Sequence, residues 1–255
     1  MSEYQYYEFQ ALDRPLTQEE QAAVASLSSR VYPHPRRAVF VYNYSDFRGN
    51  AEAVLAQYYD ALFYYANWGS RHLLFRFPAA LVDAQAMAQY SVATDGEYPS
   101  EAVTVEPSGE YVVVGIRLDE EEGFGWVEGE GWLDRLLGLR EALLQGDYRA
   151  LYLAWLKGIT LAYDIDEQAL EPPIPPGLST LTPPLQAFVE LFDVDAELLA
   201  LAAERSLALK PAKISEGRKR LALQSMPEEE KDAFLMRLLD DEPRLSLALH
   251  QHLGL

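Results

Sequence analysis

The pattern of the sequence changes once along the chain, at the acidic, glycine-rich stretch DEEEGFGWVEGEGW that begins at Asp119. Before it, short β-prone segments alternate with helix-like ones, and the last two strands form a hairpin around PSG. After it, helical segments follow one another. We therefore predict an α+β protein with an N-terminal mixed β-sheet and three helices (β-α-β-α-β-α-β-β), followed by an all-α C-terminal half. The predicted parts are a sheet domain at 1–118, an acidic seam at 119–131 and a helical region at 132–255.

The most regular helical pattern lies at residues 50–69, NAEAVLAQYYDALFYYANWG. Its apolar residues recur at intervals of three and four, which is the spacing of one helix face, and Gly69 stands where the helix is expected to end. Another helix is predicted to begin at a capping box formed by Thr17 and Glu20. The third predicted helix of the sheet domain covers AALVDAQAMAQY, residues 79–90.

A proline-rich connector interrupts the helical region. LEPPIPPGLSTLTPP, residues 170–184, holds six prolines in fifteen residues. Proline fixes φ and donates no backbone hydrogen bond, so this stretch is predicted to form neither a helix nor an inner strand.

Negative charge is distributed unevenly along the chain. The net charge is −19, and between Asp95 and Asp134 twelve acidic residues stand against one basic residue, Arg117. Direct contact of this region with nucleic acid or an anionic membrane would be electrostatically unfavourable, whereas a basic protein partner or a cation would be attracted to it.

The absence of cysteine excludes several chemistries. Without a cysteine the chain forms no disulfide, no Cys-ligated zinc or iron–sulfur site and no thiol nucleophile. The N-terminal residues lack the basic and then apolar layout of a signal peptide, and no apolar run is long enough to cross a bilayer. We expect a cytoplasmic protein without a membrane partner.

The acidic seam and the tryptophan after it are the first candidate site. Phe124, Trp126 and Trp132 supply apolar anchors among carboxylates, as in a surface that binds a basic partner. The stretch lacks the third glycine of a dinucleotide loop, at Glu128, and the spacing of a calcium loop. A solvated loop without a role and a hard-cation site remain alternatives, and no metal ligand is assigned. The candidate partner-binding residues are Glu120, Glu121, Glu122, Phe124, Trp126, Glu128, Glu130 and Trp132.

A second candidate site is a pocket built from turns of the sheet domain. Polar and aromatic residues cluster at predicted strand and helix ends, where sites of α/β scaffolds tend to form, although turn chemistry explains them equally well. Such a pocket would suit a hydrolase or a nucleotide-handling enzyme, yet the chain contains no complete catalytic motif, and whether it is an enzyme stays open. The candidate pocket residues are Asp46, Arg48, Asn67, Trp68 and Arg71.

A basic island, KPAKISEGRKR, is the third candidate. Clustered bases can contact phosphates or nucleic acid, and they can also neutralise the acidic helices beside them. The candidate phosphate-binding residues are Lys210, Lys213, Arg218, Lys219 and Arg220.

Three stretches, YQYYEFQALDRPLT, YSDFRGN and YYANWGSRHLLFRFP, resemble an uncharacterised family of bacterial proteins with no assigned activity, over about the first eighty residues. The resemblance implies a bacterial cytosolic protein and no cofactor or reaction. With the charge distribution, it leads us to expect a non-enzymatic interaction module, an adaptor or regulatory subunit, that binds a basic protein partner through its acidic surface.

Overall fold

The computed structural model of the chain describes residues 3–28, 31, 33–91, 102–120, 128–161, 170–209, 220 and 223–253. Its contacts divide the chain into two compact units, Met1–Ala208 and Leu209–Leu255. The first unit holds a sheet and helices, and the second holds helices α9 (Glu228–Leu239) and α10 (Leu245–His252), which pack against each other.

In the described part of the chain, the sheet of the first unit has six strands in the order β2-β1-β3-β4-β6-β5. The strands are β1 (Gln5–Gln10), β2 (Arg37–Tyr42), β3 (Ala61–Ala66), β4 (Ser70–Pro78), β5 (Val103–Ser108) and β6 (Tyr111–Asp119). All five pairings between these neighbours are antiparallel. The predicted α+β class is confirmed, but the prediction of a mixed sheet is wrong. Short turns between β3 and β4 and between β5 and β6 lead the chain straight back, which antiparallel pairing permits.

The helix predicted at residues 50–69 is wrong in its second half. Helix α2 begins after Asn50, whose side chain caps it, and ends at Tyr58, after which residues 61–66 form the inner strand β3. Because β3 is covered on both faces, it is apolar at nearly every position, and a short run of this kind fits helical and strand spacing alike. Its Phe and Tyr residues favour the strand. The order of elements is therefore β-α-β-α-β-β-α-β-β.

The described residues of the first unit also form helices α1 to α8. They are α1 (Gln18–Ala25), α2 (Ala51–Tyr58), α3 (Ala84–Ala88, after a 3₁₀ turn at Ala79–Leu81), α4 (Trp132–Leu136), α5 (Gly138–Leu144), α6 (Arg149–Leu161), α7 (Pro183–Phe192) and α8 (Ala196–Arg205). Because α4 contacts β3 and α6 contacts β5 and β6, the sheet and these helices share one compact unit. The division into domains at 1–118 and 132–255 stays a prediction.

The sheet has two faces with different coverings. Side chains alternate along β1, so Tyr6, Glu8 and Gln10 lie on what we call the front face, and Tyr7 and Phe9 lie on the back face. The back face packs on α1 and α2. Its core contains Phe9, Phe40, Phe47, Val24, Leu55, Tyr59, Leu62 and Leu74.

The front face is joined to α5 by a buried arginine. Arg140 is fully buried and donates two hydrogen bonds of 3.0 Å to the carboxylate of Asp13. It also donates to the carbonyl oxygen of Arg76 at 2.6 and 3.0 Å, and its guanidinium lies 5.1 Å from the ring centre of Phe77. The carboxylate of Asp60, which is also buried, accepts a hydrogen bond of 2.8 Å from the Arg76 guanidinium. Each buried charge of this cluster therefore has a counter-charge.

The proline-rich connector packs on the body of the first unit. Arg149 donates to the carbonyl oxygens of Gly177 and Thr180, each at 3.0 Å, and Ser206 donates to that of Pro175 at 2.7 Å. Residues 170–182 contain neither helix nor strand, as predicted, whereas the last two residues of the connector, Pro183 and Pro184, begin α7. Side-chain donors satisfy part of their backbone instead.

The predicted capping box of α1 is confirmed. Thr17 Oγ1 accepts from the Glu20 backbone N–H at 3.2 Å, and the Glu20 carboxylate accepts from the Thr17 backbone N–H at 2.8 Å. Arg14 donates two further hydrogen bonds to the same carboxylate, at 2.6 and 2.8 Å. Hydrogen bonding from Arg14 and then from Thr17 lowers the pKa of Glu20 from 4.5 to about 2.

This cap predicts a pH-dependent contribution to stability. Because the folded-state pKa of Glu20 is depressed, the contribution is present above pH 4.5 and is lost as the pH falls toward 2. We expect Glu20→Gln to lower the free energy of unfolding at pH 7 by about 0.5–1 kcal/mol, since Arg14 is exposed and Glu20 is half-buried. In urea titrations between pH 3 and 7 the difference from the wild type should shrink as the pH falls. Glu19→Gln, in the same turn, is the control, and a difference that does not vary with pH would contradict the assignment.

Candidate binding cleft at an edge of the sheet

An open cleft of about 660 Å³ lies on the front face, beside the edge strand β2. Strand pairing builds its floor, because Tyr6 of β1 lies opposite Val41 of β2 and Glu8 lies opposite Val39. Two residues of the acidic seam complete the wall. The lining residues are Tyr4, Tyr6, His34, Arg37, Val39, Val41, Glu128 and Glu130.

A buried carboxylate holds the floor of the cleft in place. Glu8 is 0% exposed and accepts hydrogen bonds from the Tyr6 hydroxyl at 2.8 Å and from Gln10 Nε2 at 3.0 Å. Arg37 Nε lies 2.8 Å from the same carboxylate, so its charge is compensated. Burial, followed by the bond to Glu8, raises the pKa of Tyr6. The Tyr6 hydroxyl therefore remains a donor at neutral pH, and the ring is fixed from below.

Gly129 places two acids at the mouth of the cleft. Its backbone passes so close to the Tyr6 ring that an added Cβ would lie 2.2 Å from Tyr6 Cγ. Glu128 and Glu130, on either side of it, are exposed. Burial raises the pKa of Tyr4, a backbone hydrogen bond with Gly129 opposes this, and the charges of Glu128 and Glu130 raise it further. The two glutamates and Tyr4 line the same cleft.

Other candidates from the seam have partners within the first unit. Glu120 lies 3.6 Å from the ammonium of the buried Lys157. The Trp132 ring lies 4.3 Å from the guanidinium of Arg135, which also pairs with Glu190. Glu121, Glu122, Phe124 and Trp126 lie outside the described residues.

Glu128 and Glu130 differ from these residues. No described residue forms an ion pair with either of them. Glu128 and Glu130 therefore face an open cleft without a counter-charge among the described residues, unlike the third described acid of the predicted partner-binding surface, Glu120.

The residues of the candidate pocket do not come together. Asp46 accepts from Gln5 at 2.9 Å on the back face, whereas Arg71 is buried on the front face and donates to the carbonyl oxygen of Leu191. Burial lowers the pKa of Arg71 to about 10. Asn67 accepts from the Tyr4 backbone N–H at 2.9 Å and so fastens the β3–β4 turn to β1.

The two remaining members of that set, Arg48 and Trp68, are exposed. With Asp46 and Arg71 on opposite faces, the five residues do not line one cavity. Their arrangement is that of turn and packing residues.

Of the basic island, Arg220 is described, and it is exposed, while Lys210, Lys213, Arg218 and Lys219 lie outside the described residues. Within the described part of the chain, no group of three or more His, Asp or Glu could hold a metal ion. No helix among the described residues is long and apolar enough to span a membrane.

The residues of β1 and β2 in the cleft were not among the predicted site residues. The available signal was the alternation of Tyr4, Tyr6, Glu8 and Gln10, which sets polar groups on one face of a strand. Glu128 and Glu130 are more than a hundred positions away in the chain, so no local sequence pattern shows that they lie beside these residues.

No protein-family model matches this chain, and no curated protein matches it significantly.

Proposed function

We propose that the chain is an interaction module, an adaptor or regulatory subunit, that binds a basic segment of a protein partner in the cleft beside β2. The observation that carries the proposal is the position of Glu128 and Glu130. Both are exposed at the mouth of an open cleft, beside the tyrosines of its floor, and neither has an ion-pair partner among the described residues.

The floor and wall of the cleft suit lysine or arginine side chains. Their aliphatic stems can lie along Val39 and Val41 while the charged head reaches a carboxylate. Hydrogen bonding already fixes the Tyr6 and Glu8 side chains, so little conformational entropy is lost at the floor of the cleft when a partner binds. Because the carboxylates are exposed, affinity should fall as salt screens them over about 8–10 Å.

The enzymatic alternative receives no comparable support. A hydrolase or nucleotide-handling site built on Asp46 and Arg71 would need both groups in one cavity, and they lie on opposite faces of the sheet. The phosphate-binding alternative depends on the basic island, which is described only at Arg220.

Neutralising the acidic pair tests the proposal. We expect Glu128→Gln/Glu130→Gln to weaken binding of a fluorescent oligolysine peptide about tenfold, since two exposed ion pairs together contribute about 1.4 kcal/mol. The measurement is fluorescence anisotropy at several salt concentrations, and the salt dependence should be shallower in the variant.

The matched control is Glu106→Gln/Glu110→Gln. It removes the same charge from exposed acids of the same acidic region, at the opposite edge of the sheet. Binding by this control should stay within about twofold of the wild type, because long-range effects of exposed charges are screened. Equal weakening in both variants would mean that net charge alone attracts the peptide and would refute the cleft as the site.

A further inference from the structure

Strand β2 is an edge of the sheet that has a free side. It pairs with β1 on one side. On its other side the N–H and C=O groups of Arg37 are bonded to the backbone of His34 at 3.2 and 2.8 Å, and beyond Arg37 no described strand pairs with it. The pairing of β1 with β2 ends at Gln10 and Arg37, and the next two residues, Ala11 and Arg36, are also opposite each other. The Ala11 N–H donates to the Arg36 carbonyl oxygen at 2.9 Å, so this is a hydrogen-bonded pair. Alternate residues turn their backbone toward β1, so Val39 and Val41 direct their N–H and C=O groups outward.

The two edges of the sheet are protected differently. β5, at the opposite edge, carries Glu106 and Pro107, and charge and proline both obstruct the addition of a strand. β2 has neither between Ala38 and Tyr42. Val41 is 42% exposed although it is apolar. The outer side of β2 therefore retains the features of a strand that accepts another.

We propose that the basic partner segment binds as an additional strand on β2, pairing its backbone with Val39 and Val41. This inference rests on the proposed function, because it uses the same cleft, and it specifies the conformation and spacing of the ligand. Partner residues opposite Val39 and Val41 project onto the front face, as those valines do. Lysine or arginine at every second position would then reach Glu128 and Glu130.

Charge complementarity selects this occupant over a second copy of the chain. A copy docking edge to edge would bring its own Glu128 and Glu130 toward the same pair, and each chain carries a net charge of −19. Like charges in apposition oppose association. An extended basic segment has the opposite charge and offers backbone groups for both outward valines.

The first test uses a nine-residue peptide of alternating lysine and threonine with blocked ends. One derivative carries N-methyl groups on the lysine amides and another carries them on the threonine amides. In an added strand one set of amides faces β2 and the other faces solvent, so one derivative should bind at least tenfold more weakly than the other. Both keep the same charge. Equal affinities would overturn strand addition, while the effect of neutralising Glu128 and Glu130 would still decide the proposed function separately.

The second test is Val41→Pro, which removes one outward N–H and leaves the hydrogen bonds to β1 in place. We expect the unmethylated peptide to bind about tenfold more weakly, with thermal unfolding showing that the variant is folded. If the variant misfolds, the methylated peptides on the wild-type protein decide alone. Unchanged binding by a folded Val41→Pro variant, or peptide-free dimerisation in sedimentation that this variant abolishes, would overturn the inference.

Discussion

Replacing Arg140 with alanine is expected to lower the free energy of unfolding by about 3–5 kcal/mol. Arg140 is fully buried, and its guanidinium makes two hydrogen bonds to Asp13 and two to the Arg76 carbonyl. Alanine removes both hydrogen bonds to the Asp13 carboxylate and both donors to the buried Arg76 carbonyl oxygen, and it leaves a cavity beside Phe77. Urea unfolding measured by circular dichroism gives the change directly.

Arg135→Ala is the matched control for this substitution. Arg135 belongs to the preceding helix α4 and forms an ion pair with Glu190 in which both side chains are exposed. Its loss should cost no more than about 1 kcal/mol. If the two variants were destabilised equally, the buried cluster would not be the connection between α5 and the sheet that its hydrogen bonds indicate. A double variant, Arg140→Ala/Asp13→Ala, should cost less than the sum of the single changes, because the two side chains interact directly and each single change removes the same interaction.

This cluster also shows why part of the fold lies beyond sequence reasoning. Local signals identified the capping box of α1 and the β5–β6 hairpin, since each depends on residues close together in the chain. Arg140 reads in the sequence as one more polar residue of a helix. Its partner Asp13 is 127 positions away, so its burial becomes evident only when the sheet and α5 meet.

The error at residues 50–69 has a related cause. Tyr59, Leu62 and Phe63 continue the helical spacing of α2, but the Asp60 side chain accepts the backbone N–H groups of Leu12 and Asp13 at 2.7 and 2.9 Å. These tertiary bonds hold the chain extended at the point where an isolated segment would continue the helix. Tertiary contacts override local preference here, as they commonly do in inner strands.

The sequence predicts the acidic residues of the candidate cleft but not the residues of its floor. Excess negative charge is visible in the sequence and predicts acidic partner-binding residues, and two of these, Glu128 and Glu130, line the cleft. The floor of the cleft could not be predicted from the sequence, because β1 pairs with a strand on each side and these pairings bring together residues that are far apart in the chain. Composition indicates the charge of the proposed partner, whereas strand pairing determines which residues form the candidate cleft.

Replacing Gly129 with alanine is expected to weaken binding of the basic peptide at least tenfold without changing any charge. The new Cβ would lie 2.2, 2.4 and 2.7 Å from Cγ, Cδ1 and Cβ of Tyr6, which are atoms at the root of the side chain. The ring cannot turn aside freely, because its hydroxyl is bound to the buried Glu8 at 2.8 Å. The backbone at 128–130 must therefore move away from the floor and carry both carboxylates with it. Overpacking of this kind costs about 1–3 kcal/mol of stability.

Gly109→Ala separates the loss of stability from the loss of binding. Gly109 lies in the β5–β6 turn with φ of 63°, and an added Cβ would meet nothing within 4 Å. Alanine there costs about 1–2 kcal/mol through backbone strain alone and leaves the cleft intact. Anisotropy titrations should therefore show binding lost in Gly129→Ala and retained in Gly109→Ala, although thermal unfolding shows both to be destabilised. Normal binding by Gly129→Ala would mean that the carboxylates act independently of their position above Tyr6, and attraction by charge alone would then suffice.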